Sequence, residues 1–431
     1  MIISRIRSVS FLRPINNYRS YSYKPISRPQ INSLVNKSYI DKKLNKFTLK
    51  EILKTKIEMS GPLTVASYMT EILTNPESGY YMSRDVFGQK GDFITSPEIG
   101  QIFGEMIAIW CLTEYQKIGS PLPLQIIELG PGRATLIQDF LRVFDKFKVS
   151  KKLTIHLVEL SPYLSTMQAQ KLCYSSSKMD QESGLPYYQT GETLGGVRIF
   201  WYRRIEDIPK EFSIILAHEF FDVLPIHKLQ RDGSCWKEIL VDKDPTDVNK
   251  FRYVLSRNET PVSKLFSSMR PNEKRNHVEI SLQSDLIAQQ IAERIESFGG
   301  IGLIMDYGHE GEKEDTFRAF KNHQLCDALH EPGSADITAD VDFKNLKNIL
   351  QTDDKVIAFG PVEQGTFLKR MGADVRLEKL LENCEESEIE NLKTGLDMLI
   401  NPQKMGSRFK FLSVFPHVLK DHLDKFPVMG F

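Results

Sequence analysis

Leu124 to Leu136 reads LQIIELGPGRATL. Leu124-Gln125-Ile126-Ile127 is a short apolar run between Pro123 and the Gly130-Pro131-Gly132 turn. A run of that length between breakers reads as a strand buried on both faces. Beyond the glycines, Leu136, Ile137, Phe140, Leu141 and Phe144 recur at helical spacing. The order is therefore strand, glycine turn, helix. Glycine lets the backbone enter φ > 0 and lets a ligand touch the main chain. The helix that follows points its free N–H groups at the same place.

Three ligand classes compete for such a loop. A phosphate loop of the Walker type ends in Gly-Lys-Ser/Thr, and no such ending follows. A dinucleotide loop needs G-x-G-x-x-G, and the third position here is Thr135. What remains is an acid, then G-x-G, then a small residue: Glu128, Gly130, Gly132 and Ala134, with Pro131 between the glycines. This resembles the first motif of class I S-adenosylmethionine-dependent methyltransferases, in which the loop wraps the amino acid part of the cofactor. A glycine turn in an unrelated α/β protein is the alternative for the motif taken by itself.

Thr154 to Val158 is rich in β-forming residues and ends at Glu159, 27 positions after Gly132. That leaves room for one helix and a turn. In Rossmann-like sheets, an acid at the end of the second strand accepts hydrogen bonds from both ribose hydroxyls. Glu159 is thus the second candidate cofactor contact. The bland alternative is a solvated acid at a strand end.

With 431 residues, 41% of them hydrophobic, the chain can bury one large or two ordinary domains. Its formal net charge of zero argues against a general nucleic-acid binder. The charge is unevenly spread. Residues 1–40 hold seven basic and no acidic residues, so the remainder carries 49 basic against 56 acidic residues, a net −7. An acid-free start rich in Arg and Ser reads as a mitochondrial transit peptide, with a disordered basic tail as the alternative. No apolar run is long enough for a transmembrane helix. The five cysteines are scattered and lack zinc or disulfide spacing. H-E-x-x-H and G-x-S-x-G are absent, which leaves metalloprotease and serine hydrolase readings without support.

Upstream, Pro76 to Tyr81 is turn-like and aromatic. Gly91-Asp92-Phe93-Ile94-Thr95 then leads into a helix with Ser96 as N-cap, Pro97 first and Glu98 at its positive end. Ile99, Phe103, Met106 and Trp110 give that helix one apolar face. The lead-in is either a loop that closes over the site or a plain connector.

Five segments taken together, GDFITSPEIGQIFGEMIAIW, IIELGPGRATL, HLVELSP, ILAHEFFDVLPIHK and LIMDYGH, resemble the mitochondrial protein arginine methyltransferases required for assembly of respiratory complex I, and their bacterial relatives. The resemblance runs in order from Ile57 to Phe415. It implies an α/β fold, a class I S-adenosylmethionine-dependent methyltransferase (Rossmann-like) sheet with an N-terminal helical cap and an inserted α/β lobe. The expected divisions are residues 1–40 transit peptide, 41–118 cap, 119–227 and 298–431 the two parts of the core, and 228–297 the lobe. It implies S-adenosylmethionine as cofactor, no metal, and a core subunit of complex I in the mitochondrial matrix as protein substrate, with ω-N-symmetric dimethylarginine as product. Oligomeric state is not implied. The chain departs from the family pattern at Ala134 (usually Gly), His218 (usually Asn) and Asp340 (usually His). Ala134 should be tolerated at negative φ.

Phe212 to Leu216 reads as the fourth strand and runs into Glu219-Phe220-Phe221-Asp222. Ligands of doubly wound sheets sit outside the carboxyl ends of strands, so Glu219 and Asp222 lie where a methyl acceptor would enter. A guanidinium is always cationic near neutrality. Its nitrogen must be oriented and must lose a proton, and a carboxylate serves both needs. These two residues are the catalytic candidates, against the alternative of a surface acid. Phe220 and Phe221 read as packing residues.

Elsewhere, 171–196 reads as a polar surface excursion, and 196–202 as the third strand. Residues 228–274 read as an insertion with a hairpin and helices. A helix over 280–298 should bury Leu282, Leu286, Ile287, Ile291 and Ile295. Ile301 to Met305 is a buried strand leading to His309, a possible acid–base group that more simply serves structure. Glu382 to Glu390 reads as a solvated helix face, and Phe409 to Phe415 as a closing strand. Two rival functions stay open: methylation of a small molecule or RNA, and a non-catalytic complex I assembly chaperone that kept the fold.

Overall fold

A computed structural model describes residues 48–82, 85, 94–149 and 153–431. The leader expected over 1–40 and residues 91–93 of the Gly91–Thr95 lead-in lie outside the described residues.

The central sheet grows from the strand Leu124–Leu129, all six residues of which are buried. Alternation sends successive side chains to opposite faces. Leu124 and Ile126 pack in one core with the helices Gln101–Lys117 and Thr135–Lys146, while Ile127 and Leu129 pack in another with the helices Leu282–Phe298 and Phe343–Leu350. A strand covered on both faces is mostly apolar, and here Leu124, Ile126, Ile127 and Leu129 fill the two cores while Gln125 and Glu128 are buried polar exceptions.

On one side, Leu124–Leu129 pairs in parallel with Leu153–Val158, which pairs in parallel with Arg198–Tyr202. On the other, it pairs in parallel with Ser213–His218, which pairs in parallel with Gly300–His309. Phe409–Pro416 then runs antiparallel between Gly300–His309 and Val356–Glu363. In chain order the five parallel strands lie 3-2-1-4-5, so the order reverses between the first and the fourth. That reversal opens a crevice at the carboxyl ends, where the glycine turn and Glu219 both lie. The mostly parallel sheet with helices on both faces matches the expected fold.

The expected surface excursion over 171–196 holds two strands, Ser175–Lys178 and Gln189–Glu192, that lengthen the sheet antiparallel beyond Arg198–Tyr202. All four residues of Ser175–Lys178 are exposed, so this edge carried no apolar signal.

A second, antiparallel sheet joins Leu63–Thr64, Cys235–Lys243, His227–Asp232 and His277–Ile280, with Phe251–Leu255 beside Cys235–Lys243. Its apolar face shares a core with the helices Leu49–Ser60 and Val65–Thr74 and with Ile337 and Ala339. The cap expected over 41–118 is therefore divided: its first helices belong with the inserted lobe, and Gln101–Lys117 is built into the main core. The helix Leu282–Phe298, expected at the end of the lobe, packs on the central sheet.

Three local readings change. Thr95, not Ser96, caps the helix Ser96–Ile99, forming a capping box with Glu98. The chain breaks at Gly100 and restarts as Gln101–Lys117, which is buried nearly all round because it is enclosed by the sheet and other helices. Leu282–Phe298 starts after the N-cap Ser281, Ile280 belonging to a strand. Small residues, Ala288 and Ala292, join Ile291 and Ile295 on its buried face, and Leu282 and Leu286 stay 39% and 53% exposed. The acidic run Glu382 to Glu390 straddles a turn between the helices Ala373–Leu381 and Glu386–Ile400.

Candidate active site

The glycine turn connects the first strand to the helix Thr135–Lys146 through three left-handed residues: Gly130 (φ 62°), Gly132 (φ 51°) and Ala134 (φ 56°). Tolerance of Ala134 was expected on the condition of a negative φ, and that condition is not met. Ala134 occupies a glycine conformation instead, fully buried, with its N–H donating to the Pro131 carbonyl at 2.6 Å. A side chain on Gly130 would meet the Phe220 ring at 3.0 Å, so the segment after the fourth strand packs directly on the turn. Arg133 leaves the turn to pair with Asp85 at 2.6 Å and Glu98 at 3.1 Å, tying it to the N-terminal segment.

Two buried carboxyl groups flank the turn. Glu128 ends the first strand with its Oε2 lacking any hydrogen-bond partner, and burial pushes its pKa up to about 8 despite the attraction of Lys171. Glu159 follows the second strand. Its Oε1 accepts from the Ser161 N–H at 2.8 Å and its Oε2 from Gln168 Nε2 at 2.9 Å. Burial pushes Glu159 up to about 7, against those donors. A buried carboxyl without a partner is costly and points to an absent one. The pair suits a ligand carrying a cationic amine and, farther on, hydroxyl groups. S-Adenosylmethionine has both, so the residues present fit it.

The second group of candidate residues is built on the turn after the fourth strand. Glu219 sits at φ 48°, a left-handed value that a non-glycine residue holds only under constraint. The constraint is visible. Asp306, in the fifth parallel strand just past its last residue paired with the fourth, accepts through Oδ2 from the N–H groups of Phe220 (3.1 Å), Phe221 (2.8 Å) and Asp222 (3.3 Å), and through Oδ1 from Tyr307 N–H (2.9 Å). Asp222 is buried, and its Oδ1 has no partner. Asp336, also buried, accepts from the Tyr81 hydroxyl at 2.6 Å. The Ser96 N–H reaches Glu219 Oε1 at 3.4 Å.

Burial, then mutual repulsion, pushes Glu219 and Asp222 well above the usual carboxylate range, and burial brings Asp306 to about 7. These acids share one low-dielectric wall and cannot all be ionised without a cation. Arg318 is the cation that opposes Asp222, and it is engaged by Asp340. His218 does not fill that role. Its Nε2 lies 3.4 Å from Glu219 Oε1, but no hydrogen bond forms, and burial between Phe103 and Phe409 lowers the ring to about 3 and keeps it neutral.

Glu128, Gly130, Pro131, Gly132, Glu159, Glu219 and Asp222 all line a single cavity of about 2170 Å³. A pocket for one drug-sized ligand spans roughly 300–1,000 Å³, so this one has room for a cofactor and a second molecule. Leu282 and Leu286, read as core from sequence, border it. His309 does not; its Nδ1 accepts from the Gly311 N–H at 3.0 Å, which makes it a loop brace. Sequence reasoning passed over Asp306, Asp336 and Gln168. Asp306 carried a signal, an acid closing a strand at the carboxyl edge; Asp336 and Gln168 carried none. Among the described residues, no cluster of His, Cys, Asp or Glu could hold a metal ion.

A family model described as "Putative S-adenosyl-L-methionine-dependent methyltransferase" matches residues 106–362. The chain is 51% identical to the Drosophila melanogaster protein named "Protein arginine methyltransferase NDUFAF7 homolog, mitochondrial", covering 97% of this chain and 98% of that one. It is 47% identical to the Homo sapiens protein of the corresponding name, covering 85% of this chain and 82% of that one. A crystal structure of a superfamily protein from Burkholderia thailandensis bound to S-adenosyl-homocysteine superposes with a TM-score of 0.70 at 20% identity, covering 86% of this chain and 92% of that one. That likeness shows a shared fold.

Proposed function

The chain belongs to the S-adenosyl-L-methionine-dependent methyltransferase family that includes the mitochondrial protein arginine methyltransferases, and from that membership we propose that it methylates arginine on a core subunit of mitochondrial complex I. The product would be ω-N-symmetric dimethylarginine, made in the matrix, and complex I assembly or stability would depend on it. The mitochondrial names of its relatives support the location. The observation that carries the reading is the wall of buried carboxyl groups, with Asp222 Oδ1 unpartnered, facing the same cavity as the glycine turn.

Glu128, Gly130, Pro131, Gly132 and Glu159 would hold the cofactor, whose contribution is an electrophilic methyl group. Glu219 and Asp222 would receive the guanidinium. Two carboxyl groups match the two-nitrogen fork of arginine, and the fork's fixed charge adds to that of Arg318, which Asp340 already engages. Entry of that charge favours ionised carboxylates. A carboxylate with a raised pKa is also a better base for the proton an attacking nitrogen must lose. Asp306 holds the turn so that both groups face the cavity, and Phe220 closes the gap between turn and glycine loop, which keeps water out.

The deciding experiment is mass spectrometry of arginine peptides from complex I core subunits in cells that lack the protein, then receive it or its E219Q variant. Symmetric dimethylarginine restored by the wild type alone is expected. Methylation unchanged in the null cells would overturn the protein-substrate reading. Assembly rescued equally by E219Q would favour a non-catalytic chaperone.

A further inference from the structure

Gln168 lies on the helix Pro162–Leu172, fully buried behind Glu159 and the glycine turn. Its Nε2 donates to the Gly132 carbonyl at 2.8 Å and to Glu159 Oε2 at 2.9 Å. Its Oε1 accepts from the Trp201 indole N–H at 2.8 Å. The neighbours determine the orientation of this amide. An indole only donates and a carbonyl only accepts, so oxygen must face Trp201 and nitrogen must face Gly132. Both N–H groups are then used. One side chain links the turn after the first strand, the acid after the second and the third strand itself. Yet Gln168 is absent from the cavity wall. Whatever it does for a ligand, it does through Gly132 and Glu159.

We infer that Gln168 is a positioning residue for the cofactor, locking the Gly132 backbone and the Glu159 carboxyl into one rigid unit before the cofactor arrives. The physical reason is pre-organisation. A Glu side chain at a strand end samples several rotamers, and freezing it on binding would cost affinity. With Oε1 held by Ser161 and Oε2 by Gln168, that cost is met on folding. The Gly132 carbonyl, in the left-handed turn, is fixed in the same way. Trp201 keeps the amide from flipping. The inference rests on the cofactor reading of this pocket and is independent of which molecule accepts the methyl group.

The test is calorimetric titration of S-adenosylmethionine into the full chain and its Q168L, E159Q and Q168L/E159Q variants. Q168L leaves a somewhat smaller apolar side chain and removes both donors and the acceptor. It should weaken binding about tenfold or more, the usual worth of a hydrogen bond to a charged group. In the E159Q background the same change should cost less than about threefold, because residues acting through one another are not additive. A merely structural role would lower the melting temperature in both backgrounds and leave the affinities unmoved or their losses multiplied. If Q168L does not fold, W201F replaces it in the same cycle, since it leaves the glutamine in place but frees its oxygen. Wild-type binding that either substitution leaves within about twofold, or losses that multiply, would overturn the inference. Failure of the wild type to bind would overturn the cofactor reading with it. Tight binding without methylation of arginine peptides would count against the proposed function alone.

Discussion

Asp306 Oδ2 stands 2.8 Å from the backbone nitrogen of Phe221 and also accepts from the residues on either side. One carboxylate thus caps the whole turn that presents Glu219 and Asp222. It explains how Glu219 is held at φ 48° without glycine. On the proposed reading of Glu219 and Asp222, stability and catalytic geometry meet at this contact. Removing the cap should let the turn relax, and a displacement of about 1 Å at a reacting centre can cost on the order of 10²-fold in rate. We expect D306A to lower methyl transfer by about that factor while leaving S-adenosylmethionine affinity near wild type, because its hydrogen bonds go to the Phe220–Asp222 turn and Tyr307 and none to the glycine turn or Glu159. Steady-state rates beside cofactor titration check this, and equal losses in both would refute it.

Glu219 and Asp222 should separate from the cofactor residues in the same way. Each has its pKa raised by burial and by the neighbouring acids. General-base assistance typically contributes about 10²–10⁴-fold. E219Q and D222N should each lose rate within that range without losing the cofactor. The sign of the pH effect follows from the raised pKa values. The base works ionised, so kcat/KM should climb as pH rises through a limb displaced upward from the ordinary carboxylate range. E219Q should move or abolish that limb. A profile unchanged in both variants would show that neither group titrates in the reaction.

Glu128 makes a stability prediction in the ligand-free protein. Its folded pKa is about 8 against an ordinary 4.5, because burial favours the protonated form. The folded state therefore holds a proton that the unfolded state releases. The stabilisation from this group is complete below pH 4.5 and is lost as pH rises through about 8. Glu159, raised to about 7, acts in the same direction. Melting temperatures should fall between pH 6 and 8.5, and E128Q should flatten that slope while weakening cofactor binding. Thermal melts of both proteins across this range test it; parallel slopes would rule out Glu128 as their source.

The parts of this architecture that could be read in advance are those in which local pattern and global burial agree. Four of the six residues of Leu124–Leu129 are apolar because both of its faces are covered, and the glycines after it mark left-handed positions. The placement of Glu159 and Glu219 on the cavity wall was legible because an acid closing a parallel strand has a place in the crevice. Asp336 was not, for it arrives from a strand of a separate small sheet and reaches the wall only through tertiary packing. Gln168 was hidden for a similar reason, a mid-helix polar residue whose three partners lie on three other segments. The face of Leu282–Phe298 was misjudged because alanines took the core side, leaving Leu282 and Leu286 to border the cavity.

Ala134 tests whether a departure from the family's glycine weakens the site. Its φ of 56° is the conformation a glycine would supply, so the turn already has the glycine shape. Alanine bears a left-handed penalty of about 1–2 kcal/mol there. Against that, its methyl group is fully buried, and burial of one such group contributes about 0.8 kcal/mol. The two terms nearly offset, so A134G should change stability by no more than about 1 kcal/mol and S-adenosylmethionine affinity by less than about twofold. A134V adds a branched side chain at the same φ and within a closed core, and it should cost about 3 kcal/mol or more and take binding with it. Denaturant melts and cofactor titrations of the two variants decide the matter. If A134G raised affinity tenfold, the alanine would be a damaged cofactor loop, and the non-catalytic chaperone reading would gain ground. An unchanged affinity would mean that the wild-type backbone supports the loop as well as glycine does, and that the alanine gives no reason to expect a methyltransferase without turnover.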